Sequence, residues 1–244
     1  MTGEQQAKKA LVIGSSGAIA QAVVNYLLND ELYTEVHTVS RSEYAMRHVK
    51  HQHFVVNSVD EQAVESLVKQ LQASGRYSLL VCCIGRLHGS ELSPEKRLES
   101  IHLDKMHEYF EVNTLAPLNW LKQLAHLMDK AAPAWAVFFS ARVGSIEDNH
   151  LGGWYGYRAS KAALNMLLKT AQIELHRRLP KLSLVSYHPG TVDSPLSEPF
   201  QQNVPEGKLF SPAFTVEQLM THLPGLEPGN VPHYIDWQGK TIPW

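Results

Sequence analysis

The sequence predicts an α/β domain: a doubly wound sheet of about seven mostly parallel strands, with helices on both faces. Three observations carry this. Short apolar runs recur along the chain: KALVIG, TEVHTVS, HFVVN, LLVCCIG, AWAVFFS and SLVSYHP. Longer stretches with helical spacing lie between them. No composition break divides the first three quarters, so one domain over residues 1–244 is expected. Apolar strands alternating with helices imply βαβ units and a buried parallel sheet. Right-handed crossovers then wind the sheet on both faces.

The first unit, ALVIGSSGAIAQAVVNYLL, reads as strand, glycine turn and amphipathic helix. Ile19, Val23, Val24, Leu27 and Leu28 make its apolar stripe. Gly14 ends the strand, where a tight turn needs freedom in φ. Gly17 and Ala18 leave room for phosphates to approach the backbone, and the helix start offers free N–H groups and the positive end of a dipole. The spacing is GxxxAxA rather than GxGxxG, so an ordinary glycine turn or an S-adenosylmethionine site on a similar sheet stands beside a dinucleotide site. The second strand ends VHTVSRSE. A carboxylate there would hold the ribose of NAD. Ser40 and Arg41 stand there instead. A neutral residue and a guanidinium fork suit a 2′-phosphate, so NADP(H) is expected over NAD(H); the alternative is a solvated loop arginine. After the third strand, Asn57 and Ser58 are placed to bond the adenine edge. Asp60 is the expected N-cap of the next helix, whose stripe is Val64, Leu67, Val68 and Leu71.

Cys82 and Cys83 lie side by side in LLVCCIG, too few for a disulfide framework or a zinc site. That run is too short to cross a bilayer. The start MTGEQQAKK has no signal-peptide apolar region, so a cytoplasmic protein is expected. A formal net charge of −2 without a basic block gives no nucleic-acid surface, and the 13 histidines form no HExxH. LDKMHEYFEVNTLAPLNWLKQL reads as one helix capped by Asp104, with Pro117 inside it. Proline has no N–H for the carbonyl four residues back, so the Asn113 carbonyl is expected to be free, either for a functional partner or in a plain kink filled by solvent. In YGYRASKAAL, Tyr157 and Lys161 stand at i and i+4 and can face one space; on this stretch alone an ordinary surface Tyr/Lys pair is the alternative. Tyr155 pairs only with Ala159 and is expected to pack or line the substrate side. Trp120 and Trp154 are expected in the core. From Thr191 to Pro212 the chain is proline-rich and aperiodic, as expected for a substrate loop or lid over 191–212. The ending HYIDWQGKTIPW reads as a last strand and a tail.

Together these residues resemble the short-chain dehydrogenases/reductases, a Rossmann-like family, over nearly the whole chain. The family's glycine turn is similar to IGSSGAIA, with Ile13 and Ala20 at variant positions. Its NNAG element appears as CCIG, which keeps only Gly85. Its helix asparagine is matched by Asn113, its Tyr-x-x-x-Lys by Tyr157 and Lys161, and its Pro-Gly element by HPGTVDS. GRLHGSELSPEKRLESI, SARVGSI and DWQGKTIPW look closer to the C-factor-like and sniffer-type carbonyl reductase branch.

The resemblance implies hydride transfer between a nicotinamide and a small carbonyl or alcohol. It implies Asn113, Ser140, Tyr157 and Lys161 as catalytic residues. Gly14, Ser15, Ser16, Gly17, Ala18, Ile19, Arg41, Asn57, Ser58, Gly85, Tyr157, Lys161, Pro189, Gly190 and Val192 would hold the cofactor, with no metal. The family's usual Ser-Ser pair reads Ser140-Ala141, so the catalytic hydroxyl is expected from Ser140, with Ser145 as the alternative. Lys161 is expected to lower the Tyr157 phenol from about 10 toward about 7. One cation at about 4 Å in an effective dielectric of 20 supplies a term of that size, about 4 kcal/mol. The Tyr157 and Asn113 helices would form a homodimer or homotetramer. A C-factor-like dinucleotide-binding regulator with little turnover is the alternative to the enzyme. A methyltransferase would explain the glycine turn but neither Tyr157 nor Lys161.

Overall fold

The computed structural model describes residues 7–44 and 46–244. The first six residues of the MTGEQQAKK start lie outside the described residues. The strands are β1 (Lys8–Ile13), β2 (Tyr33–Ser40), β3 (His51–Val55), β4 (Leu79–Cys82), β5 (Ala134–Phe139), β6 (Leu182–His188), β7 (Thr191–Val192), β8 (Leu209–Phe210) and β9 (His233–Asp236). Seven of them form one sheet in the order β3-β2-β1-β4-β5-β6-β9, every neighbouring pair parallel. The order reverses at β1, which pairs with β2 on one side and β4 on the other. Ligands of such sheets sit at the carboxyl ends of the strands beside that reversal.

The helices are α1 (Ala18–Asn29), α2 (Glu61–Leu71), α3 (Leu103–Phe110), α4 (Ala116–Leu124), α5 (Tyr155–Arg178) and α6 (Pro212–His222). Side chains alternate across each strand, so the sheet has two apolar faces. On one face Leu11, Leu80 and Phe138 pack with Val64 and Leu67 of α2, Trp120 of α4 and Leu168 of α5. On the other, Val12, Val81 and Val185 pack with Val23 and Leu27 of α1 and Leu219 of α6. Trp120 is thus core, as expected. Asp60 caps α2, its carboxylate accepting from the Ala63 N–H at 3.0 Å.

The stretch read as one helix from an Asp104 cap divides. α3 begins at Leu103 with His102 as N-cap, so Asp104 lies inside the first turn. Glu111–Leu115 then takes the wider π register, in which the Ala116 N–H donates to the Glu111 carbonyl. Pro117 falls in the first turn of α4, where a missing N–H costs little. The irregularity is thereby moved N-terminally onto the segment that carries Asn113. Single π turns of this kind concentrate at functional sites.

Candidate active site

The cleft begins at the glycine turn. Gly14 has φ +81, and a Cβ there would lie 3.2 Å from the Cys83 carbonyl carbon and the Ile84 nitrogen. Only glycine fits, because β4 ends against this turn. Ser15 is fully buried and its N–H donates to the Val39 carbonyl at 3.0 Å, so it braces the turn rather than facing the cleft. Gly17 is the N-cap of α1, with no side chain to take the first N–H groups and no acidic residue in the first turn. An anion meets free donors there and no repulsion.

A cavity of about 740 Å³ runs from Arg41, Asn57 and Ser58 past Gly14 and Gly17 to Gly85. A second, of about 370 Å³, shares Ser16, Gly17 and Gly85 with it and continues past Ala18 and Ile19. It ends among Ser140, Tyr157, Lys161 and Pro189. Besides Ser15, two of the expected cofactor residues, Gly190 and Val192, lie behind this surface rather than lining it. Gly190, at φ +77, lies under the Phe210 ring, and Val192 is buried where β7 pairs with β8. Arg41 is exposed at the far end, beside a turn fixed by the Ser40 hydroxyl donating to the Ser42 carbonyl at 2.8 Å.

At the other end, Tyr157 and Lys161 stand on α5, one turn apart, and both are buried. The Lys161 Nζ lies 5.8 Å from the Tyr157 ring centre and donates to the Phe139 carbonyl at 2.8 Å. Burial pushes the Lys161 ammonium down to about 8. Burial, with Tyr234 nearby, pushes the Tyr157 phenol above its ordinary value. The expected lowering of the phenol is therefore not present in this state. Taking both groups out of water disfavours the charged form of each. A protonated phenol is the form that gives a proton away.

Gly85 brings the remaining family residues together. A Cβ on it would lie 3.5 Å from the Lys161 Nζ and 3.8 Å from the Asn113 Oδ1. The Asn113 amide accepts from the Arg86 N–H at 2.7 Å, and donates to the Arg86 carbonyl at 2.9 Å and the Ser160 hydroxyl at 3.1 Å. Its side chain thus ties the segment after β4 to α5.

Of the two serines, Ser140 lines the cleft with Tyr157, and its hydroxyl donates to the Asn165 Oδ1 at 2.7 Å. Ser145 lines a separate cavity of about 280 Å³, which Tyr155 and Arg158 also line; its hydroxyl accepts the Asp148 N–H at 3.0 Å. The Ala141 methyl packs against the cluster of Leu87, Leu92, Tyr109 and Tyr157. Tyr155 lines the cavity of Ser145, not the cleft of Tyr157, which corrects the substrate-side expectation for it. Trp154 is no core residue either. It is half-buried, with its ring 6.2 Å from that of Tyr157 and 4.9 Å from that of Phe200 in the 191–212 segment.

Several residues at this end carry no local sequence signal. Gly152, Gly153 and Trp154 are all left-handed, at φ +64, +68 and +54, and Trp154 is the one non-glycine residue with positive φ among those described. Such a conformation in a bulky residue costs about 1 to 3 kcal/mol. Tyr234 donates to the Ala141 carbonyl at 2.7 Å, and Arg142 pairs with buried Asp236 at 2.9 Å, so β9 clamps the loop after β5. Arg86 lines the larger cavity and pairs with Glu108. His88 reaches the Pro195 carbonyl at 2.9 Å and meets the Phe200 ring, closing the 191–212 segment against the loop after β4. Cys82 and Cys83 are free. Among the described residues no helix is long and apolar enough to cross a membrane.

A family profile described as short chain dehydrogenase matches residues 8–205. The chain is 28% identical over 191 residues to the 1-hydroxy-2-glutathionyl-2-methyl-3-butene dehydrogenase of Rhodococcus sp. (strain AD45), covering 78% of each. It is 30% identical over 135 residues to the C-signal protein of Myxococcus xanthus, covering 55% of this chain and 76% of that one. In fold it matches the carbonyl reductase Sniffer of D. melanogaster with a TM-score of 0.84, at 19% identity over 98% of this chain and 100% of that one. It matches an NADPH-bound carbonyl reductase from chicken fatty liver with a TM-score of 0.83, at 21% identity over 99% and 96%.

Proposed function

This chain belongs to the short chain dehydrogenase family of oxidoreductases, and from that premise we propose that it reduces a small carbonyl compound with NADPH, with Tyr157 as the proton donor. The observation that carries the proposal is the meeting of Ser140, Tyr157 and Lys161 in one cavity continuous with the glycine-turn cleft. The chain's own residues fit a dinucleotide. Gly14 and Gly17 keep side chains off the pyrophosphate path, α1 offers unopposed N–H groups, and Gly85 clears the space beside Lys161. Arg41 would hold the 2′-phosphate, Asn57 and Ser58 the adenine edge, and Lys161 the nicotinamide ribose. When bound, the nicotinamide supplies the hydride.

The remaining work falls to the protein. Tyr157 is protonated at neutral pH and gives its proton to the oxygen that becomes an alkoxide. Ser140 turns its hydroxyl from Asn165 to the same oxygen as charge develops there. Lys161, charged below about pH 8, steadies the phenolate that the transfer leaves. The π segment places Asn113 beside Gly85 and Lys161, and its carbonyl would hold a water that returns a proton to the lysine. The 191–212 segment closes over the substrate as a lid. The whole is read as one domain over 1–244, a homodimer or homotetramer of the cytoplasm, where the free Cys82 and Cys83 thiols stay reduced.

The test is NADPH oxidation at saturating cofactor across a panel of aldehydes and ketones, repeated with Tyr157→Phe. Turnover by wild type that the variant loses supports the proposal. The likeness to C-signal favours a second reading, a dinucleotide-binding signalling protein with little turnover. Tight NADPH binding, no turnover and no effect of Tyr157→Phe would favour that one.

A further inference from the structure

Gly156 stands between the two tyrosines of YGYR, at the second position of α5. A Cβ on it would lie 2.2 Å from the Tyr109 ring and 3.0 Å from the Glu95 Oε1. Of these two, Glu95 comes from 61 residues away, in the loop after β4. Glu95 is 5% exposed. Its Oε2 accepts the Gly156 N–H at 3.1 Å, and its backbone carbonyl accepts the Trp154 N–H. α5 has no side-chain cap of its own, since its N-cap is the left-handed Trp154. Glu95 therefore replaces the local Ser, Thr or Asp that ordinarily takes the first N–H groups of a helix. Its negative charge also sits at the positive end of the helix.

We propose that Glu95 is a positioning residue for Tyr157, holding the left-handed Gly152–Trp154 turn and the first turn of α5 from both sides. The proposal rests on the reductase reading and deepens it. Tyr157 is the third residue of α5, so its ring goes where that first turn goes. A strained turn keeps its conformation only while its surroundings impose it. Here the imposing groups are the two Glu95 acceptors, with the Trp154 ring against Phe200 and Tyr157. The loop that carries Glu95 is itself fixed at its start by Asn113 on Arg86 and by the Tyr109 hydroxyl on the Leu87 carbonyl, at 2.7 Å. The substrate-side wall and the proton donor are thus one unit.

The experiment compares wild type, Glu95→Gln and Glu95→Ala. For each, NADPH affinity, kcat and KM for the carbonyl compound of the panel that wild type turns over best, and Trp154 emission, taken as the difference from the same protein carrying Trp154→Phe, are measured. Glutamine keeps an acceptor for the Gly156 N–H. It is expected to retain kcat within about threefold and the Trp154 signal of wild type. Alanine is expected to lower kcat by tenfold or more, to change Trp154 emission, and to leave NADPH affinity within about twofold, which also shows that it is folded. Unchanged kcat and emission in Glu95→Ala, or a loss in Glu95→Gln as large as in Glu95→Ala, would overturn the proposal. Should wild type turn over no compound of the panel, the reductase reading fails by itself. Trp154 emission then decides for Glu95: a change in alanine alone supports it, and no change overturns it.

Discussion

The two ends of the cleft are built differently. The end at Gly14–Ile19 is made of backbone: a left-handed glycine against β4, a capless helix start and small residues over the five consecutive positions Gly14–Ala18. The end at Tyr157 is made of side chains drawn from distant parts of the chain. Asn113, Ser140, Lys161 and Glu95 arrive there from four separate elements and loops, and a strained tryptophan sits among them. A backbone site tolerates many side chains but no Cβ where the chain must approach closely. A side-chain site has the opposite sensitivities.

That contrast breaks most visibly at Tyr157. Tyr157→Phe removes the proton and little else, so kcat is expected to fall by roughly 10² to 10⁴, with NADPH affinity unchanged in a fluorescence titration. Gly14→Val is the counterpart at the backbone end. With φ +81 and the Cys83–Ile84 backbone at 3.2 Å, the variant should lose about 1 to 3 kcal/mol of stability in urea unfolding. It should lose NADPH affinity with it.

Measuring kcat/KM against pH sharpens the comparison at the side-chain end. Burial holds Lys161 at about 8, below its ordinary value, so the ammonium is present below that pH and lost above it. The reduction rate is expected to be flat up to about pH 8 and then to fall by about tenfold per unit. A flat profile to pH 10 would remove Lys161's charge from the mechanism. Arg41→Ala acts where a side chain intrudes on the backbone end. It should weaken NADPH by roughly tenfold, as expected for one charge-assisted pair, and leave NADH unchanged. Equal loss for both cofactors would place the guanidinium elsewhere. Smallest of all, Tyr155→Phe should alter kcat less than twofold, because Tyr155 faces the Ser145 cavity.

The same contrast explains what the sequence allowed to be read. The sheet strands, the Gly14 turn and the Asp60 cap are local: the residues that cause each lie within a few positions of it. The Tyr157–Lys161 pair was legible because helical spacing alone puts both on one side. Where partners come from afar, local reading falls short. Asp104 is the better capping residue by type, but the N-cap of α3 falls two residues earlier, at His102. Pro117 reads as a break inside a helix, whereas the chain shifts the break to Glu111–Leu115, and proline falls in the first turn of a new segment. For the hydroxyl, the sequence favours Ser140 and keeps Ser145 as the alternative, and only the fold shows that the two line different cavities. Glu95 left no trace beyond an unremarkable SPEK, because its partners are 59 and 61 residues away.

The most direct measurement is a structure of the enzyme with NADP⁺ bound. The nicotinamide ring should lie in the cavity of Ser140, Tyr157 and Lys161. Its ribose should be against Lys161, its pyrophosphate at the start of α1, and its 2′-phosphate on Arg41. A nicotinamide directed away from Tyr157, or a dinucleotide bound outside the Gly14–Gly17 turn, would contradict the assignment of the phenol as proton donor.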